Sequence, residues 1–242
     1  DVRDLIDRPL FGIVYNNLYK TESVVSDFPG SSIAESFRNV RSNLFLRLRS
    51  VHSKVILVTS SQPRDGKSFV AFNLAASIAS VGYKTIIVDC DLRKPTQHLK
   101  FREDNNAGLS NYMTDHTSKD SLIHKTFIKN LDFIPAGPLL PNPSEMMESG
   151  ILDDLITHLK EKYEYIILDT TPVGIIADAT LLMKHASQIL LVCRNNYTRK
   201  DVLTDVVNNF ITNKFTNFDI VFNDLDLKRS QYGAYTSYYH KN

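Results

Sequence analysis

Gly66, Lys67 and Ser68 stand a few residues after the apolar run Val55–Val58. A turn after a strand, a lysine and a hydroxyl in that order can cradle a polyphosphate. Peptide N–H groups opening a helix face the anion, the lysine brings a mobile charge to the β- and γ-phosphates, and the hydroxyl can ligate Mg²⁺. The full pattern places a glycine where this chain has Ser61, and small residues where it has Arg64 and Asp65. With Gln62, Pro63 and Phe69, the stretch from Ser61 to Phe69 is the candidate ATP-binding loop. By itself the tripeptide fits a plain strand–turn–helix junction equally well.

Two further apolar runs end in carboxylates. In "TIIVDCDLRKP", Asp89 and Asp91 alternate on an extended chain and can both reach the carboxyl edge of a sheet, where open α/β folds bind ligands. Carboxylates so close together need a cation, and Mg²⁺ beside an ATP phosphate would serve Asp89. Asp91 is then left to orient, or take the proton from, an attacking hydroxyl. In "YIILDTTP", Asp169 closes a buried strand as a Walker B carboxylate does, holding Mg²⁺ directly or through water. The catalytic candidates are therefore Lys67, Asp89, Asp91 and Asp169, and the metal candidates Ser68, Asp89 and Asp169. For adenine, Arg194 in the "CRNN" turn and Asn223 in "IVFNDL" follow late strands. Asn223 offers donor and acceptor groups to a base edge, although a turn-forming role suits an asparagine equally.

The elements that would position these groups alternate between strand and helix, as in βαβ units with a parallel sheet. Strands are predicted over 55–59, 85–88, 131–134, 165–168, 189–193 and 218–222, mostly as continuous apolar runs that helices cover on both faces. Helices are predicted over 67–81, 144–162, 178–186 and 199–215. Another precedes the first strand, where Ile33, Phe37, Val40, Leu44 and Leu48 recur at helical spacing and Ser32 with Glu35 forms a capping box. The fold class is α/β, a P-loop NTPase-like, mostly parallel sheet with helices on both faces. Residues 1–30 read as a linker, 31–227 as the nucleotide-binding domain and 228–242 as a flexible tail rich in tyrosine.

Taken together, these residues resemble the bacterial tyrosine kinases of polysaccharide export. The resemblance runs over roughly residues 9–242 and is carried by "SSQPRDGKS", by "IIVDCDLR" with Asp89, Asp91 and Arg93, and by "IILDTTP". It extends to "AGPLLPNPSEMM", to the helix bearing Glu35, Arg38 and Arg41, and to the tail "YGAYTSYYHKN". Deviant Walker A ATPases carry a signature lysine where this chain has Gln62, which favours the kinase branch. Arg64 departs from the family, where glycine is common, and its backbone must accommodate a side chain.

The resemblance implies Mg²⁺- and ATP-dependent autophosphorylation of Tyr232, Tyr235, Tyr238 and Tyr239. At ~3.4 Å per residue, the segment from Lys228 to Tyr239 spans roughly 35 Å, enough for transfer in trans. It also implies that Glu35, Arg38 and Arg41 build a ring, commonly of eight copies; without it they would read as a solvated charged face. Other implied partners are a cognate tyrosine phosphatase and the polysaccharide export machinery.

Bulk properties exclude little. The 242 residues carry a formal charge of +1, which gives no argument for nucleic acid, and 43% are apolar, enough for one sizeable core. Cys90 and Cys193 lie in buried-strand runs and read as reduced core thiols, consistent with the cytosol. No run approaches the roughly 20 apolar residues of a membrane span. The chain opens at Asp1 with no methionine, which reads as a fragment. "RPLFGIVYNN" resembles the segment after the second membrane helix of single-chain relatives, so the expected location is the cytoplasmic face of the bacterial inner membrane. The runner-up function is a nucleotide-switched ATPase scaffold, and the third a non-catalytic interaction domain.

Overall fold

The computed structural model describes residues 10–115, 117–148, 150–174 and 178–226. The four tail tyrosines lie outside them. The strands, in chain order, are β1 (Gly12–Tyr15), β2 (Lys54–Ser60), β3 (Thr85–Asp89), β4 (His124–Lys125), β5 (Leu131–Ile134), β6 (Tyr165–Asp169), β7 (Gln188–Arg194) and β8 (Phe218–Leu225). They form one sheet in the order β1-β8-β7-β2-β6-β3-β5-β4. Every pairing is parallel except that of the short edge strand β4 with β5.

The helices are α1 (Val24–Asp27), α2 (Ser32–Arg47), α3 (Lys67–Ala79), α4 (Gln97–Phe101), α5 (Leu109–Asp115), α6 (Pro143–Glu148), α7 (Ile151–Lys162), α8 (Asp178–Leu182) and α9 (Lys200–Thr212). Alternation along each strand divides the core in two. Val55 and Leu57 of β2 pack with α5, α6, α7, α8 and α9, whereas Ile56 and Val58 pack with α1, α2 and α3. Both faces of the sheet are thus covered, which is why the central strands are apolar throughout. Helix α3 is buried from Val70 to Ala79 without interruption, sandwiched between the sheet and α2. Its small alanines permit that close approach.

All six predicted strands are present. β1, which lies inside the stretch set apart as a linker, pairs with β8 and was not foreseen, nor was β4. The helix predicted over 144–162 is two helices, because Gly150 takes φ +80 and α7 restarts after it. The 178–186 prediction resolves into α8 followed by a 3₁₀ turn, Met183–His185. The capping box is also corrected. Ser31, not Ser32, caps α2, its hydroxyl accepting from Ala34 N–H at 3.2 Å, while Glu35 turns to Arg38. Both cysteines are buried free thiols.

Candidate active site

Strand order explains why residues a hundred positions apart meet. β2, β6 and β3 are neighbours, so the loops after them open at one edge of the sheet. Val58 and Asp89 both stand opposite Asp169 in register. That edge is the carboxyl end of the strands, the usual ligand crevice of an open parallel sheet.

Lys67 opens α3 and reaches across this edge. Its Nζ lies 2.8 Å from Asp91 Oδ2, 3.2 Å from Ser68 Oγ and 3.9 Å from Asp169 Oδ1. Burial pulls the Lys67 ammonium down, but the charges of Asp169 and Asp91 outweigh it, and the lysine titrates above its ordinary value. Asp89 is fully buried. Its Oδ1 accepts from Asp91 N–H at 3.2 Å, and its Oδ2 from Thr96 and Gln97 N–H at 3.2 and 3.0 Å. Burial, and then the adjoining charge of Asp169, push the Asp89 carboxyl up to about 8.

The loop before Lys67 is held from several sides. Gly66 takes φ +93, and a Cβ there would stand 2.2 Å from Asn223 Nδ2, so a side chain would be strained and would push Asn223 aside. Arg64 takes φ +70, the left-handed region that glycine favours, so it departs from the usual residue while keeping the backbone form. Its carbonyl accepts from Arg194 at 3.3 Å, and Arg194 also pairs with Asp224 at 2.9 Å. Asn223 Nδ2 donates to Asp65 O at 2.9 Å. Asp65 is buried; its carboxylate accepts from Ser61 Oγ and Gln62 N–H, both at 3.2 Å, and from Thr198 Oγ1 at 2.7 Å. Burial raises this carboxyl against the pull of those bonds. Gln62 Nε2 donates to Tyr197 O at 3.3 Å. Arg194 and Asn223, expected near adenine, are therefore seen bracing the loop. Both also line a cavity of about 240 Å³ with Gly66, Phe69, Tyr15 and Glu22. Phe69 packs edge-on to Phe37, ring centroids 5.9 Å apart.

Two features were missed in the sequence. Gln97, fully buried, donates from Nε2 to Ser68 O at 2.9 Å and to Asp169 Oδ2 at 2.8 Å. Asp178, also buried, binds Arg93 Nε at 2.8 Å, and Ser144 donates to Asp178 and accepts from Arg93. No spacing signals either, because each links separate elements through the fold.

A magnesium–nucleotide group fits this set. Asp169 Oδ1 is buried with no hydrogen-bond donor, which leaves one oxygen, 3.9 Å from Lys67 Nζ, for a cation or its water. Among the described residues no three acidic, histidine or cysteine side chains form a metal cluster.

Loop, lysine, strand-end carboxylates and sheet order define a P-loop-type nucleotide-binding α/β domain, and residues 53–228 match AAA_31, an AAA domain family. The chain is 39% identical over 168 residues to the putative tyrosine-protein kinase CapB of Staphylococcus aureus, covering 69% of this chain and 74% of that one. It is 32% identical over 208 residues to the tyrosine-protein kinase YwqD of Bacillus subtilis, with 86% and 88% covered. The crystal structure of the chimerical protein CapA2B2 superposes with a TM-score of 0.86 at 34% identity, over 93% of this chain and 98% of that one. The chain belongs to the bacterial tyrosine-protein kinases. It is a tyrosine kinase built on a P-loop ATPase fold.

Proposed function

We propose that this kinase phosphorylates its own tail at Tyr232, Tyr235, Tyr238 and Tyr239, using Mg²⁺ and ATP, between neighbouring copies of a ring. In doing so it regulates capsule or exopolysaccharide synthesis and export at the cytoplasmic face of the membrane. The observation that carries the reading is the meeting of Lys67 with Asp91 and Asp169 at one sheet edge.

Bound Mg-ATP supplies the electrophilic phosphorus. The N–H groups opening α3 and the Lys67 ammonium hold negative charge that grows on the phosphate oxygens. Ser68 Oγ and the carboxylates of Asp169 and Asp89 would hold the metal, directly or through water, and its charge would draw off the proton that burial keeps on Asp89. Asp91, its Oδ1 fixed by Lys94 N–H at 3.0 Å, orients the tyrosine hydroxyl and accepts its proton.

Support for a ring comes from α2. Glu35 and Arg38 form an ion pair with side chains 56% and 34% exposed, on a surface a second copy can reach. Arg41 instead donates to Ser77 O at 2.7 Å, and burial lowers its guanidinium below the ordinary value. Phosphates on the tail add about −1.5 to −2 charges each and would repel it from the site, loosening the ring.

Incubation with Mg-ATP and mass-spectrometric mapping of phosphotyrosine, beside a Lys67→Met control, tests the reading. Tail tyrosines modified only in the unaltered chain support it. Phosphate release without phosphotyrosine would assign an ATPase scaffold instead, and neither activity a binding module. Equal assembly size before and after phosphorylation would end the ring-loosening idea.

A further inference from the structure

We propose that Gln97 is a positioning residue for the magnesium site, turning the Asp169 carboxylate so that one chosen oxygen faces the metal; this rests on the magnesium–nucleotide reading above. Gln97 sits where three parts of the site converge. Its peptide N–H holds Asp89 Oδ2 at 3.0 Å, and its side-chain nitrogen bridges Ser68 O and Asp169 Oδ2 at 2.9 and 2.8 Å.

The orientation of the amide follows from its partners. Ser68 O and Asp169 Oδ2 are both acceptors, so only the NH₂ end can face them; the flipped amide would set oxygen against two oxygens. Both amide hydrogens are thereby used. One oxygen of Asp169 is restrained by a neutral donor, and the other, Oδ1, is left toward Lys67 with no hydrogen bond of its own.

Gln97 Oε1 is likewise buried and without a donor. Two buried acceptors without a hydrogen bond in one cluster are costly, even with Lys67 3.9 Å from one of them, and the cost is removed by something that brings positive charge and water hydrogens together. A hydrated dication does so. An ordinary core contact at this position would need no amide, and its unmet oxygen would weigh against one. The arrangement matches the outer-shell pattern in which a second residue aims a metal-facing carboxylate.

The test uses the full 242-residue chain and ADP binding measured by displacement of a fluorescent ADP, with and without Mg²⁺. Gln97→Met keeps the length of the side chain and removes both polar ends. Affinity for ADP without Mg²⁺ is the reference, since the variant also loses the bond to Ser68 O, and it is expected to fall by less than about tenfold. The tightening caused by Mg²⁺ is expected to fall about tenfold or more. In an Asp169→Asn background Gln97→Met should change nothing further, since the residue acts through Asp169.

Full Mg²⁺-linked tightening in Gln97→Met, or effects of the two substitutions that simply add, overturns the proposal. If the methionine variant does not fold, Gln97→Asn, too short to bridge both partners, is held to the same outcomes. An unaltered chain whose ADP affinity ignores Mg²⁺ overturns the nucleotide reading and this inference with it. Tightening present in the unaltered chain and retained in full by the variants overturns the inference alone.

Discussion

Lys67 Nζ lies 2.8 Å from Asp91 Oδ2 but 3.9 Å from Asp169 Oδ1, so one ammonium is shared unequally by carboxylates at the ends of two different strands. The lysine side chain is 13% exposed and those of its partners 7% and 0%, so water screens the group poorly. Lys67→Met should therefore act twice. Tyrosine phosphorylation should drop by about 100-fold or more, as when a charge-stabilising group leaves an active site. The nucleotide-free fold should lose roughly 3 kcal/mol, because two buried carboxylates lose their cation. Phosphotyrosine mapping and urea unfolding measure the two effects separately.

Asp89 predicts an unusual pH dependence. Between its ordinary value of 3.8 and about 8, the folded chain keeps a proton that the unfolded chain has released. Folding takes up a proton in that window, so stability falls as pH rises through it and levels off above it. Thermal melts of the nucleotide-free protein should show that decline, and Asp89→Asn should flatten it. Asp65, also raised by burial, contributes the same sign, so the slope shrinks without vanishing.

The two left-handed loop positions should respond very unequally. Gly66→Ala places a side chain at φ +93 and within 2.2 Å of Asn223 Nδ2, and should cost about 2 kcal/mol or more and abolish ADP binding. Arg64→Gly relieves φ +70 but loosens the unfolded chain, so stability should change by less than about 1 kcal/mol. Melting curves and ADP titrations check both.

Arg93 and Asp178 should prove to be a structural couple. Asp178 is 1% exposed and rests on Arg93 and Ser144, so Arg93→Ala leaves a buried carboxylate short of donors. A loss of about 1–3 kcal/mol is expected. In an Asp178→Ala background the same change should cost much less, a difference that urea unfolding of the four chains would reveal.

Local pattern carried much of this protein. Continuous apolar runs with strand-forming residues named all six central strands, and the 3–4 spacing of Ile33, Phe37, Val40 and Leu44 named the buried stripe of α2. Asp89, Asp91 and Asp169 were named because they stand at or just after the end of such a run, and Lys67 and Ser68 because they open the helix that follows one. Burial follows from side-chain type, and type is written residue by residue.

What remained hidden depends on distance through space. Only the order β2-β6-β3 places Asp169 beside both Lys67 and Asp89, and strand order is a matter of packing rather than of any one segment. Gln97 gains its contacts from three elements at once, and Thr198 holds Asp65 from 133 residues away. β1 had no independent signal, since a short half-buried strand is specified by the partner strand it finds. Hydrophobic periodicity reports which face a residue turns inward; it holds no record of what waits there.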